Sequence, residues 1–181
     1  MISGGKPPIT TLAASKFWTH QNSSKFQQIS ELFADIFTLS LSDHSSTHRI
    51  GNALLSMFVR FGDLGNAWYV FGKMEKRDVF SWNVLVGGYA KAGFLDEALD
   101  LYYRMLWVGI KPDVYTFPCV LRTCGGVPDL IRGREVHMHV LRFGFESDVD
   151  VVNALITMYV KCGDVQSAQL VFALVLLKLF F

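Results

Sequence analysis

Gly51-Asn-Ala-Leu-Leu-Ser-Met-Phe-Val-Arg-Phe-Gly-Asp-Leu64 is met again 101 residues on, as Val152-Asn-Ala-Leu-Ile-Thr-Met-Tyr-Val-Lys-Cys-Gly-Asp-Val165. Between them, Trp82-Asn-Val-Leu-Val-Gly-Gly-Tyr-Ala-Lys-Ala-Gly-Phe-Leu95 repeats the pattern at an offset of 31 residues, and a weaker copy runs from Phe117 to Leu130. Self-similarity at such a period marks a repeat architecture. The copies set out units 48–78 (31 residues), 79–113 (35), 114–148 (35) and a partial unit 149–173.

Each unit reads as two short helices. In 79–113 the first is expected from about Ser81 to Lys91, with Leu85, Val86 and Tyr89 at helical spacing. The second is expected from about Leu95 to Trp107, with Ala98, Leu99, Tyr102 and Met105 along one stripe. Gly93 can take the positive φ that ends the first helix, as can Gly62 and Gly163 in the matching places. Ala98, matched by Ala67 and Ala168, is small enough to let the paired helices approach closely. Gly109 and Pro112 close the unit, because proline cannot continue a helix. A hairpin of this size cannot bury both faces alone, so stacked neighbours must complete its core. The expected fold is all-α, an α-solenoid of stacked helix-turn-helix repeats.

Composition narrows the functional classes. The chain has 181 residues, 51% of them hydrophobic and 18% charged, which is too apolar for a wholly disordered chain. The formal net charge is +1, so no strong basic field argues for nucleic acid. Three cysteines, Cys119, Cys124 and Cys162, rule out a dense disulfide framework and suit a reducing compartment. The longest apolar run, Leu170 to Leu177, falls far short of the roughly 20 residues of a spanning helix, so no membrane partner is expected.

The ends differ from the units. Residues 1–47 hold 14 Ser and Thr, three lysines, three acids and no arginine, and carry no copy of the repeat. Gln27 to Leu41 fits one amphipathic helix. An organelle presequence and a plain leader are both open readings, since the missing arginine departs from transit-peptide composition. At the other end, the apolar tail 174–181 stands where the first unit has the polar Lys73-Met-Glu-Lys-Arg-Asp78, so the chain reads as truncated.

These residues resemble the pentatricopeptide repeat family, in particular its plant subclass with repeats of alternating length. Unit 79–113, with Ser-Trp-Asn at its start, Gly-Tyr-Ala-Lys-Ala-Gly at its centre and Gly-Ile-Lys-Pro-Asp at its end, is similar to the standard 35-residue type. Unit 114–148, with Thr-Phe-Pro-Cys-Val-Leu-Arg-Thr-Cys-Gly-Gly, resembles the long type, and the units from 48 and 149 resemble the short type. The related tetratricopeptide pattern is absent. Phe80 to Leu130 is especially similar to chloroplast RNA-editing factors.

The resemblance implies single-stranded organelle RNA as the partner, bound roughly one base per unit. It implies base reading by the fifth and last residues of each unit: Asn52 with Asp78, Asn83 with Asp113, and Asn153, whose partner position is lost. Such a pair implies a pyrimidine preference, uracil over cytosine. An Asn amide carries donors and an acceptor and can meet a Watson–Crick edge. The second position, by resemblance, sandwiches the base; Phe80 and Tyr115 fall there and are aromatic enough to stack. Pro118 stands where the long unit would need an amide. The implied process is C-to-U editing or related RNA maturation in the chloroplast, with the mitochondrion as the alternative, and with editing-complex proteins or a deaminase supplied in trans.

Blander readings stand beside these. Asn and Asp near a helix start commonly serve as caps. The Trp, Tyr and Met residues within the units read mostly as solenoid core. His137 and His139, two apart on a helix, diverge by about 200° and cannot clamp one metal. Neither a His-x-Glu nor a Pro-Cys-x-x-Cys motif of a zinc deaminase occurs. No enzymatic activity, cofactor or metal is therefore expected. The rival functions are a helical-repeat scaffold for a protein partner and a truncated product with no independent function.

Overall fold

The computed structural model of the chain describes residues 44–180. The leader as far as residue 43, with the amphipathic stretch Gln27 to Leu41, lies outside the described residues. Among the described residues there are eight α-helices and no strand: α1 His44–Arg60, α2 Leu64–Lys73, α3 Val79–Lys91, α4 Leu95–Trp107, α5 Thr116–Gly126, α6 Leu130–Phe143, α7 Val149–Lys161 and α8 Val165–Phe180. The fold is all-α, built of the helix-turn-helix repeats of α-solenoids. The chain divides into two compact units, one ending at Gly88 and one beginning at Tyr89.

In the first unit, α1 and α2 pack as a hairpin. Leu54, Leu55 and Phe58 of α1 and Leu64, Ala67, Val70 and Phe71 of α2 are buried. The turn between them needs Gly62, whose φ of 77° is disfavoured for any residue with a Cβ. Asp63 then starts α2 by accepting from the Asn66 backbone N–H at 3.0 Å. Arg77 closes it from the other end, donating to the carbonyls of Phe71 at 2.7 Å and Gly72 at 2.8 Å. Trp82 stands edge-on to Phe71 with ring centroids 4.8 Å apart. α1 begins at His44, four residues ahead of the repeat register, and α3 begins two residues before the expected Ser81.

In the second unit α4 packs on α5, α5 on α6 and α7, α6 on α7, and α7 on α8. The contact of α5 with α7 sets the first helix of one hairpin against the first helix of the next. Ala98 and Ala168 are buried at the helix pairings, as their small size suggested. Gly93 and Gly163 have φ values of 86° and 79° and end their helices. Polar ties join the layers. Tyr102 Oη and His139 Nδ1 are 2.9 Å apart, and His137 Nδ1 and Tyr159 Oη 2.8 Å. Tyr103 donates to Glu135 at 2.7 Å, and Arg132 reaches Asp96 at 2.8 Å. The two histidines thus serve opposite neighbours, α4 and α7, as their angular separation requires.

Trp107 is 84% exposed at the end of α4. The apolar tail continues α8, which runs for 16 residues where α2 has 10. Leu174-Val-Leu-Leu carries no glycine or proline to stop a helix, whereas Arg77 binds the last carbonyls of α2.

Candidate nucleic-acid interface

Asp78 and Asp148 directly precede a helix and cap it, and Asp113, two residues ahead of the N-cap Tyr115, holds N–H groups at the start of α5. Asp78 Oδ1 accepts from the Ser81 N–H at 2.9 Å and the Ser81 hydroxyl at 3.1 Å. Asp113 Oδ1 accepts from the Tyr115 and Thr116 N–H groups at 3.1 and 2.9 Å. Asp148 Oδ1 accepts from Asp150 and Val151, each at 3.0 Å. The shared job explains the recurrence of Asp: a helix start exposes N–H groups that a short carboxylate satisfies.

The asparagines are not caps. Asn83 is the fifth residue of α3, Asn153 the fifth of α7, and Asn52 lies further still inside α1. An N-cap must precede the first helical residue, so the capping explanation holds for Asp78 and Asp148 and fails for the asparagines.

Asn52 and Asp78 are brought together across 26 residues of chain. Asn52 Nδ2 lies 3.3 Å from Asp78 Oδ2 and 3.4 Å from Oδ1. Asn52 Oδ1 is enclosed and has no hydrogen-bond partner. His48 joins them, its Nε2 3.1 Å from Asp78 Oδ2 and 3.5 Å from Asn52 Nδ2. Burial alone would raise the Asp78 carboxyl, but the Ser81 N–H and hydroxyl, the charge of His48 and the Asn52 amide together hold it below the usual carboxylate value.

Asn83 is half-buried on α3 and Asp113 half-buried ahead of α5. Asn153 is exposed on α7, and its own carbonyl accepts from Thr157 at 2.7 Å. Phe80 and Tyr115 are 49% and 76% exposed. Pro118 is buried in the first turn of α5, where its missing N–H costs the helix nothing.

Two features escaped the reading of the sequence. His48 was overlooked because the same register holds Val79, Val114 and Val149 in the other units, so no repetition flags it. The only local sign is its spacing of four from Asn52, which puts both on one helix face. The second is a basic residue closing the first helix of three units: Arg60, Lys91 and Lys161, all exposed, with Gly126 in the long unit. Aligning the units in register would have found it. These cations favour the negative end of their helices, and their exposed heads are suited to phosphate.

Among the described residues no group of three His, Cys, Asp or Glu is placed to hold a metal ion. No helix among them is long and apolar enough to cross a membrane.

Helical hairpins in register, with Asp at each junction and Asn inside the following helix at two of the three, invite comparison with known repeats. A profile described as PPR repeat family matches residues 77–126, and one described as PPR repeat matches 52–79 and 150–176. The chain belongs to the pentatricopeptide repeat family. Members of this family are organellar RNA-binding proteins. A chloroplastic pentatricopeptide repeat-containing protein of Arabidopsis thaliana is 66% identical over 150 residues, which are 82% of this chain and 17% of the relative. A second chloroplastic one from the same plant is 41% identical over 128 residues, 70% of this chain and 24% of the relative. A mitochondrial one is 38% identical over 123 residues, 68% of this chain and 18% of the relative. The chain thus spans less than a quarter of the length of these pentatricopeptide repeat proteins.

Proposed function

We propose that this chain is a sequence-selective binder of single-stranded RNA in the chloroplast, serving C-to-U editing or related RNA maturation with any deaminase supplied in trans. The observation that carries the reading is the Asn52–Asp78 contact, with the amide Nδ2 turned onto the carboxylate. A carboxylate only accepts, so it draws the NH2 group of the amide and leaves the carbonyl oxygen for the base. Uracil offers N3–H to such an acceptor, whereas cytosine offers a bare N3. Asn52 Oδ1 is enclosed and has no donor on it. Asn83 with Asp113 is the second pair, and Asn153 a third reader. Phe80 and Tyr115 supply stacking surfaces, and Arg60, Lys91 and Lys161 meet phosphates. Units of 31, 35 and 35 residues support the subclass of alternating repeat length, and the chloroplastic relatives support the location.

The test is a fluorescence-anisotropy titration against short single-stranded RNAs, U-rich and A-rich, at two salt concentrations. Saturable binding with a uracil preference that persists at the higher salt is expected. Asn83→Thr is expected to move the preference from uracil toward guanine without loss of fold. Equal binding to both RNAs that disappears with salt sinks the base-reading proposal, and a protein-binding scaffold would give no base-dependent change at all.

A further inference from the structure

We propose that His48 is a third member of the first unit's reading site and that it weakens the discrimination of uracil from cytosine there; this inference rests on the base-reading role proposed above. Four donors converge on the Asp78 carboxylate, from the Ser81 N–H and hydroxyl, His48 and Asn52. The Asp78 carboxylate has about four acceptor sites. Oδ1 already takes the Ser81 N–H at 2.9 Å and the Ser81 hydroxyl at 3.1 Å. With its hydrogen on Nε2, His48 donates to Oδ2 at 3.1 Å. Asn52 Nδ2 is left with the longest contacts, 3.3 and 3.4 Å, beyond the ordinary range for N–H···O.

The consequence follows from what the amide must do. Uracil is selected only while Asn52 keeps its NH2 group on Asp78 and its oxygen for the base. Once the carboxylate is shared with an imidazole, less holds the amide in that sense. Turned over, it offers its NH2 group to the base, and that donor suits the bare N3 of cytosine. The other units carry Val79, Val114 and Val149 in the place of His48, and valine has no donor to compete. The first unit is therefore a more permissive pyrimidine reader than a unit with valine in that place.

The experiment uses the full chain and four RNAs identical but for two adjacent positions, UU, UC, CU and CC. Binding is measured for the wild type, His48→Val and the double variant His48→Val/Asn52→Ala. Valine is the residue the fold already accepts at this register, and far-UV circular dichroism checks the helices. His48→Val is expected to raise the affinity ratio of uracil over cytosine at one position by about three- to tenfold, the span of one net hydrogen bond. The gain is expected to vanish in the double variant, and His48→Ala is expected to reproduce it. Suppose the other position already favours uracil and Asn83→Ala erases that preference, yet neither His48 variant sharpens anything. The role of His48 is then overturned and base reading stands. If no position discriminates in any variant, or no RNA binds, both fall.

Discussion

Substituting two glycines of the first unit by alanine should move stability in opposite directions. Gly88 lies inside α3, and a Cβ there would stand 2.7 and 3.1 Å from the two Val59 methyls on α1 and 3.3 Å from Leu64 Cδ2. Carbon atoms in contact prefer about 3.5–4.0 Å, so the nearest approach is short by almost 1 Å. Val59 is β-branched and has a single stiff torsion with which to yield. Overpacking of this kind costs about 1–3 kcal/mol, against which alanine returns about 1 kcal/mol of helix propensity. Gly88→Ala should therefore destabilise by about 0–2 kcal/mol. Gly72, near the end of α2, has nothing within 4 Å of its notional Cβ, and Gly72→Ala should stabilise by up to about 1 kcal/mol. Urea denaturation followed by circular dichroism at 222 nm reads both. Val59→Ala removes the obstructing methyls, so in a double-variant cycle it should make Gly88→Ala favourable. If Gly88→Ala stabilises the wild type as much as Gly72→Ala does, α1 and α3 do not approach as described.

Three further outcomes are expected. The second helices start on Asp63, Asp129 and Asp164, but α4 starts on Phe94, which makes no side-chain cap although its φ and ψ of −85° and 69° nearly match the −86° and 74° of Asp63. Phe94→Asn should thus be more stable than Phe94→Ala by about 1 kcal/mol, both having lost the ring, and equal melting curves would refute it. Hydrogen bonds from Ser81 to Asp78 and from Ser167 to Asp164 help hold both carboxyls below the usual value of 3.8. Their stabilisation is fully present above that value and is lost as pH falls through the lower folded values. Asp78→Asn should flatten the fall of stability below pH 4, and an unchanged slope in an acid titration would count against the contacts described. Three phosphate contacts by Arg60, Lys91 and Lys161 predict a slope of about −2 for log affinity against log salt, and Lys91→Ala should make it shallower by about 0.7.

What could be read from the sequence was whatever repeats. Gly62, Gly93 and Gly163 recur because each helix end needs a positive φ, and Ala67, Ala98 and Ala168 because each hairpin needs a close seam. The family resemblance pointed to Asn52 and Asp78, which meet in the structure. Features that occur once gave no such signal. His48, the tie between Tyr102 and His139, and the bridge from Arg132 to Asp96 each join residues that no other unit pairs in the same way. The early start of α1 was hidden by a Ser/Thr-rich approach that reads as polar leader.

The division of labour at each junction explains how the candidate readers can vary while the hairpin persists. The aspartate is bound to the fold, since its Oδ1 holds the first N–H groups of a helix in all three junctions. Asn52 and Asn153 have no such duty to a helix start. Asn153 lies exposed on α7, and Asn52 spends its amide on Asp78 rather than on backbone. The long unit carries the point further. Pro118 replaces the amide outright, and α5 forms regardless, because the first turn of a helix has no use for the N–H that proline lacks. Helix starts, seams and turns are thus fixed by one set of residues, and the surface offered to a base by another. A repeat so arranged can change what it recognises by single substitutions with little cost to its stability.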